Sequence, residues 1–209
     1  MKRNPGVSIV IPVYRSADTL LKLVERLAPI VTSLPEGSEV ILVNDGSPDA
    51  SWEVISQLRQ EYAFIRGINL MRNYGQHNAL LAGIKAACGE TIITMDDDLQ
   101  NPPEEIPALL KELNAGLDVV YGARAKEQHG LARNFASRLI KYFVCVTMRV
   151  PIATSITSFR AFRAHLVEGF YFHQGPCVFI DALLCWGTRK IGSVTVTHLE
   201  REQGTSNYS

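Results

Sequence analysis

Thr91-Ile92-Ile93-Thr94-Met95-Asp96-Asp97-Asp98-Leu99-Gln100-Asn101-Pro102-Pro103-Glu104-Glu105 joins an apolar run, an acidic turn and a helix start in one short stretch. The first five residues are β-branched or apolar, and a brief continuous run of this kind reads as a strand buried on both faces. The Pro-Pro-Glu-Glu at the other end suits the first turn of a helix. Proline is tolerated there, and acids favour the positive end of the helix dipole. A buried strand passing through a polar turn into a helix is the repeating unit of an α/β protein.

The same unit recurs upstream. Val7 to Val13 is a β-branched run bounded by Gly6 and by the turn after Tyr14. Asp18 is placed to cap a helix over Thr19 to Ile30, where Leu20, Leu23, Val24 and Leu27 share a face. Val40 to Val43 forms a second buried strand that ends at Asn44-Asp45-Gly46-Ser47-Pro48. Asp49 or Ser51 opens the next helix, with Trp52, Ile55 and Leu58 on one side. Phe64 to Leu70 is a weaker third strand, Asn78 to Ala87 a helix stopped by Gly89, and Asp118 to Tyr121 a fifth strand. This alternation predicts an α/β fold with a mainly parallel central sheet flanked by helices. In such sheets ligands bind outside the carboxyl ends of the strands. The polar clusters Tyr14-Arg15, Asn44-Asp45, Asp96-Asp97-Asp98 and Gly122-Ala123-Arg124 all follow strands, so the fold gathers them at one edge.

After residue 125 the pattern changes. Arg133 to Val150 reads as a helix in which Phe135, Leu139, Phe143 and Val146 cluster among Arg133, Arg138, Lys141 and Arg149. Phe159 to Phe162 reads as a short strand, Phe179 to Trp186 as an apolar helix, and Ile191 to Leu199 as an alternating strand. With no repeat, low-complexity tract or linker, residues 1–209 are expected to form one domain.

Composition narrows the function classes. The 21 Lys and Arg balance 21 Asp and Glu, which argues against a nucleic-acid binder working through bulk charge. The same neutrality leaves no net repulsion between copies, so a homo-oligomer stays open. Cys88, Cys145, Cys177 and Cys185 contain no CxxC pair, and their apolar neighbourhoods suit small hydrophobes better than metal ligands. No signal-peptide core is present, and the most apolar long window, Leu139 to Val150, carries Lys141 and Arg149. A reducing, cytoplasmic setting is therefore expected. No GxGxxG, Walker loop or GxSxG occurs, which gives dehydrogenases, nucleotide hydrolases and serine hydrolases no support.

Three successive carboxylates repel one another unless a cation or solvent relieves them. In an extended segment Asp96 and Asp98 point one way and Asp97 the other. Two oxygen donors on one side suit a hard divalent ion, Mg²⁺ or Mn²⁺, with phosphate oxygens completing its shell. A solvated acidic turn is the alternative reading of the triplet.

In order along the chain, Ile9-Val10-Ile11-Pro12-Val13-Tyr14, Val43-Asn44-Asp45-Gly46-Ser47, Arg72-Asn73-Tyr74-Gly75 and Met95-Asp96-Asp97-Asp98-Leu99-Gln100-Asn101-Pro102-Pro103-Glu104 resemble family 2 glycosyltransferases of GT-A fold. Within them the chain is most similar to the polyprenyl-phosphate glycosyltransferases, the group containing dolichol-phosphate mannose synthase. Val120-Tyr121-Gly122-Ala123-Arg124, Arg133 to Ser137, Thr157-Ser158-Phe159-Arg160 and Arg201 to Tyr208 extend the match over essentially the whole chain.

The resemblance implies a Rossmann-like nucleotide-sugar fold, with residues 1–125 binding the donor and 126–209 the acceptor. Pro12 and Tyr14 would line the nucleotide pocket, and Asp45 would contact base or ribose. Asp96 and Asp97 would face the donor, and Asp96 and Asp98, assisted by Gln100, would hold the metal. Arg201 would close over the diphosphate. Arg124, Arg133 and Ser137 would receive a polyprenyl phosphate, Arg133 and Ser137 lying one helical turn apart. Catalysis would rest on Asp98 and Arg124 in an inverting transfer at the membrane surface. Many members carry transmembrane helices after the Arg-x-x-Gly-x-Ser-x-Tyr motif. This chain stops at Ser209, so either an anchor follows in the parent protein or the chain meets the membrane through surface contacts, and a place at the cytoplasmic face is expected. The chain departs from the family pattern at Arg15-Ser16, at Thr154-Ser155 where an acid is common, and at Ser158 where glycine is common. No general base is assigned.

Overall fold

The computed structural model describes residues 3–124, 156–171 and 178–199. The strands are β1 (Asn4–Val13), β2 (Glu39–Asn44), β3 (Ile65–Asn69), β4 (Gly89–Thr94), β5 (Val119–Arg124), β6 (Arg160–Arg163) and β7 (Ile191–Val196). The helices are α1 (Ala17–Ser33), α2 (Ser51–Glu61), α3 (Gln76–Ala86), α4 (Ile106–Asn114), α5 (Glu168–Tyr171) and α6 (Ile180–Gly187). A 3-10 turn at Pro103–Glu105 leads into α4, and another at Ala164–Val167 leads into α5. The strands form one sheet in the order β3-β2-β1-β4-β6-β5-β7. All neighbours are parallel except β6, which runs antiparallel to both β4 and β5.

The continuous apolar runs are buried on both faces. Ile9, Ile11, Val40, Leu42, Ile93 and Val120 pack with α1, α2 and α4 on one side. Val10, Ile41, Val43, Ile92, Val119 and Tyr121 pack with α3, α5 and α6 on the other. Period-two alternation therefore divides each strand between two apolar layers. Gly83 lets α3 sit close to the sheet, since a Cβ there would meet Val10 Cγ1 at 2.4 Å and Val43 Cγ2 at 2.9 Å.

The expected elements up to residue 124 all form, with small shifts at their ends. Asp18 does not cap α1, which begins earlier at Ala17. The Ala17 N–H instead donates to Asp49 Oδ2 at 3.2 Å, so a neighbouring loop satisfies the helix end. The predicted Arg133–Val150 helix, Cys145, Cys177, and Thr154-Ser155 lie outside the described residues. No helix among the described residues is long and apolar enough to cross a membrane.

Antiparallel β6 carries a buried charge. Arg160 pairs in register with Thr94 on one side and Tyr121 on the other. Its Nη1 donates to Asp181 in the first turn of α6, and its Nε donates to Thr94 Oγ1 at 3.1 Å. The Tyr121 hydroxyl donates to Asp181 Oδ1 at 2.9 Å. Burial, reinforced by the Asp181 charge, drives the Tyr121 hydroxyl well above its ordinary range, so it stays a donor. Arg160 and Asp181 are both buried, and removing either leaves the other charge uncompensated. Asp181→Ala is accordingly expected to destabilise the chain by about 3–5 kcal/mol, measured by urea unfolding. A loss below about 1 kcal/mol would contradict the buried pairing.

Candidate functional site

Strands β1, β2 and β4 run parallel, so their carboxyl ends lie at one edge and their following loops meet there. Pro12 is buried within β1, opposite Val43. It brings no N–H to the ladder, and pairing between β1 and β4 ends just before it, at Val10↔Thr94. Beyond that point the chain after β1 and the acidic turn after β4 are no longer held as neighbouring strands. Half-buried Tyr14 and the three aspartates occupy that space.

The fold sends the three carboxylates to three different partners. Asp97 turns inward and is buried, where its Oδ2 accepts from Ser16 Oγ at 2.5 Å and from the Tyr14 N–H at 3.4 Å. Burial raises its pKa to about 7, helped by the charges of Asp96 and Asp98 and opposed by the Ser16 and Tyr14 hydrogen bonds. Asp96 is half-buried and accepts from Gln76 Nε2 at 2.6 Å and from the Ser158 hydroxyl. Asp98 Oδ1 accepts the Gln100 N–H at 3.1 Å. Leu99, between them, holds a φ of 60°, a left-handed conformation that costs a leucine about 1–3 kcal/mol. Its side chain is buried in the core, and that burial anchors the bend returning Gln100 to Asp98.

Asp45 is fully buried at the end of β2. Its two oxygens accept the N–H groups of Tyr74 at 2.8 Å and Gly75 at 3.0 Å. Burial raises its pKa while those two bonds oppose the rise. Gly46 adopts φ 60°, and a Cβ there would meet the Arg72 backbone at 2.3 Å, so the turn requires glycine. Asp45 and Gly46 thus press the 72–75 loop against the site and deliver Gln76, the first residue of α3, to Asp96. Two cations sit on the rim: the guanidinium of Arg15 lies 5.4 Å from the Tyr14 ring centre and that of Arg72 lies 4.8 Å from the Tyr74 ring centre.

Arg124 is exposed at the end of β5, and Gln100 is half-buried. The Leu199 N–H donates to the Gln100 carbonyl at 2.9 Å, which brings the chain to the acidic turn two residues before Arg201. Pro12, Tyr14, Asp45, Asp96, Asp97, Asp98 and Gln100 therefore share the carboxyl edge, with Arg124 at the end of its own strand in the same sheet. Arg133, Ser137 and Arg201 lie outside the described residues. Gln76, Arg72 and Ser158 are site neighbours that motif reading did not select as ligands. The signal for Gln76 was its place directly after the Asn73-Tyr74-Gly75 turn that follows β3.

Among the described residues no three His, Cys, Asp or Glu side chains are arranged to hold a metal ion. The donor chemistry still fits a hard divalent cation. Asp96, Asp98 and the Gln100 amide are oxygen donors in one turn, and Mg²⁺ or Mn²⁺ sites of this class use one or two carboxylates with substrate phosphates.

Asp45→Ala is expected to release the 72–75 loop, because the Tyr74 N–H loses its acceptor and the Gly75 N–H keeps only Asn73 Oδ1. Hydrogen exchange at the Tyr74 and Gly75 amides should accelerate, with a stability loss of about 1–3 kcal/mol. Unchanged exchange at both amides would contradict the clamp.

Comparison with known proteins agrees with the geometry. Residues 8–195 match the family described as Glycosyl transferase family 2. The chain is 41% identical over 204 residues to the undecaprenyl-phosphate 4-deoxy-4-formamido-L-arabinose transferase of Yersinia enterocolitica, covering 97% of this chain and 62% of that protein. The protein of the same name from Pectobacterium carotovorum is 40% identical over 205 residues, covering 98% of this chain and 63% of the other. The chain thus spans under two thirds of the length of these relatives. Its fold matches glucosyl-3-phosphoglycerate synthase of Mycobacterium tuberculosis, solved with Mn²⁺ and UDP-glucose, with a TM-score of 0.70 at 17% identity over 96% of this chain and 73% of that one. It also matches S. aureus TarS in complex with UDP-GlcNAc, with a TM-score of 0.66 at 17% identity over 99% of this chain and 60% of that one. These likenesses bear out the expected GT-A architecture, and the chain belongs to glycosyl transferase family 2.

Proposed function

We propose that this chain is the catalytic unit of a metal-dependent, inverting glycosyltransferase that moves a sugar from a nucleoside-diphosphate sugar to a polyprenyl phosphate at a membrane surface. The observation that carries the acceptor class is the 41% identity, over 97% of the chain, to an undecaprenyl-phosphate sugar transferase. In this reading residues 1–125 bind the donor and 126–209 the acceptor, and the parent protein works at the cytoplasmic face of the membrane.

The donor's nucleotide lies along Pro12 and Tyr14, in a pocket walled by the 72–75 loop. Asp45 acts there mainly through that loop, because its oxygens are engaged and the residue is buried. Asp97 likewise supports the donor by fixing the chain after β1 through Ser16 and Tyr14. Asp96, Asp98 and Gln100 hold Mg²⁺ or Mn²⁺, which when bound neutralises the charge of the departing nucleoside diphosphate. Arg201 meets the same diphosphate from the segment that follows Leu199.

Arg124, Arg133 and Ser137 bind the acceptor phosphate, guanidinium groups being suited to paired contacts with phosphate oxygens. A phosphate oxygen forms the new bond to the anomeric carbon as the bond to the nucleoside diphosphate breaks from the opposite side. The acceptor phosphate is already anionic at pH 7, so the transfer needs no strong base. Its rate rests on alignment and charge neutralisation, with Asp98 and Arg124 at the centre of each.

Incubation of the chain with Mn²⁺, labelled nucleotide sugars and undecaprenyl phosphate is expected to yield labelled lipid. Transfer to a soluble sugar without labelled lipid would replace this reading with a hydroxyl-acceptor enzyme. Donor binding without transfer to any acceptor would indicate a non-catalytic module. Asp98→Ala should abolish Mn²⁺-dependent donor binding, and wild-type affinity in that variant would refute the metal assignment. Arg124→Ala should leave donor affinity intact and lower kcat/KM for the lipid about 10- to 100-fold, as expected for losing a hydrogen bond to a charged group worth about 1.5–3 kcal/mol.

A further inference from the structure

Asp96 is gripped from two sides by elements far apart in the sequence. Gln76 Nε2, in the first turn of α3, donates to its Oδ1 at 2.6 Å, and the Ser158 hydroxyl donates to its Oδ2. The second contact follows from strand direction. Each step forward along β4 is one step back along β6, and Thr94 faces Arg160. Continued two residues beyond the strand ends, this register sets Asp96 opposite Ser158 as a cross-strand pair. Ser158 is itself fixed, because its carbonyl accepts from Thr94 Oγ1 at 2.7 Å. Thr94 Oγ1 in turn accepts from Arg160 Nε at 3.1 Å, and Arg160 is anchored on Asp181. A line of hydrogen bonds thus runs from α6 through β6 and β4 to Asp96.

We propose that Ser158 and Gln76 are positioning residues for Asp96, holding the rotation of its carboxylate in the orientation that coordinates a divalent cation. This inference rests on the metal reading of the acidic turn. An ionised carboxylate offers about four lone-pair sites, so hydrogen bonds from side chains and coordination of a cation are compatible on one group. Hydrogen bonds to ligating carboxylates commonly set metal affinity, and their loss weakens it about 10- to 100-fold. A purely structural bond at the same place would change unfolding and leave metal affinity alone.

The test is Mn²⁺ binding by the whole chain, read by the electron paramagnetic resonance of free Mn²⁺, with a thermal melt recorded for each variant. Ser158→Ala is expected to weaken Mn²⁺ binding about 10- to 100-fold. Ser158→Thr keeps the hydroxyl and should bind as the wild type does. Gln76→Ala, at a half-buried helix start, should weaken binding in the same direction and provides a second probe if Ser158→Ala folds poorly. Asp98→Ala serves as the control. Loss of binding in Asp98→Ala with wild-type affinity in both Ser158→Ala and Gln76→Ala would overturn the positioning role and leave the metal reading intact. Wild-type affinity in Asp98→Ala would overturn both.

Discussion

Asp96, Asp97 and Asp98 put three carboxylates on consecutive residues, and charges that close repel strongly unless they are separated or compensated. The chain bends at Leu99 and turns Asp97 inward to Ser16 and the Tyr14 N–H, which leaves Asp96 and Asp98 half-buried in the turn. Asp97 and Asp96 meet donors from the chain after β1 and from α3, and Asp98 meets one from its own turn. The negative charge left at the carboxyl edge of a parallel sheet is of the kind that hard divalent cations bind together with phosphates.

Much of the surrounding architecture serves that turn. Pro12 ends the pairing of β1 with β4 and opens space after them. Asp45 and Gly46 draw the 72–75 loop inward and bring Gln76 to Asp96. The buried Arg160–Asp181 pair holds β6 in register, and β6 presents Ser158. A buried ion pair is a costly way to join elements when apolar side chains could do so. Here it sits two residues from a serine that touches the acidic turn.

Parts of this organisation were legible in the residues themselves. Runs such as Val7–Val13 and Val40–Val43 could only be buried strands, and polar clusters following each strand gathered at one edge because parallel strands end together. The separation of Asp97 from Asp96 and Asp98 followed from backbone alternation. The insertion of antiparallel β6 between β4 and β5 was not legible, because Phe159–Phe162 carries no local mark of its neighbours or direction. With β6 unplaced, the contact of Ser158 with Asp96 was hidden, and Asp181 was an isolated acid in an apolar run. Asp45 shows the same limit: its motif position was evident, whereas its partners, Tyr74 and Gly75, lie on a loop that only tertiary packing brings near.

The most direct measurement is anomalous scattering from crystals of the chain grown with Mn²⁺ and UDP. A manganese peak within coordination distance of the Asp96 and Asp98 carboxylates, bridging to the diphosphate, with Ser158 still bonded to Asp96, is the predicted result. A diphosphate bound at this edge with manganese elsewhere, or with Asp96 and Asp98 uncoordinated, would contradict it.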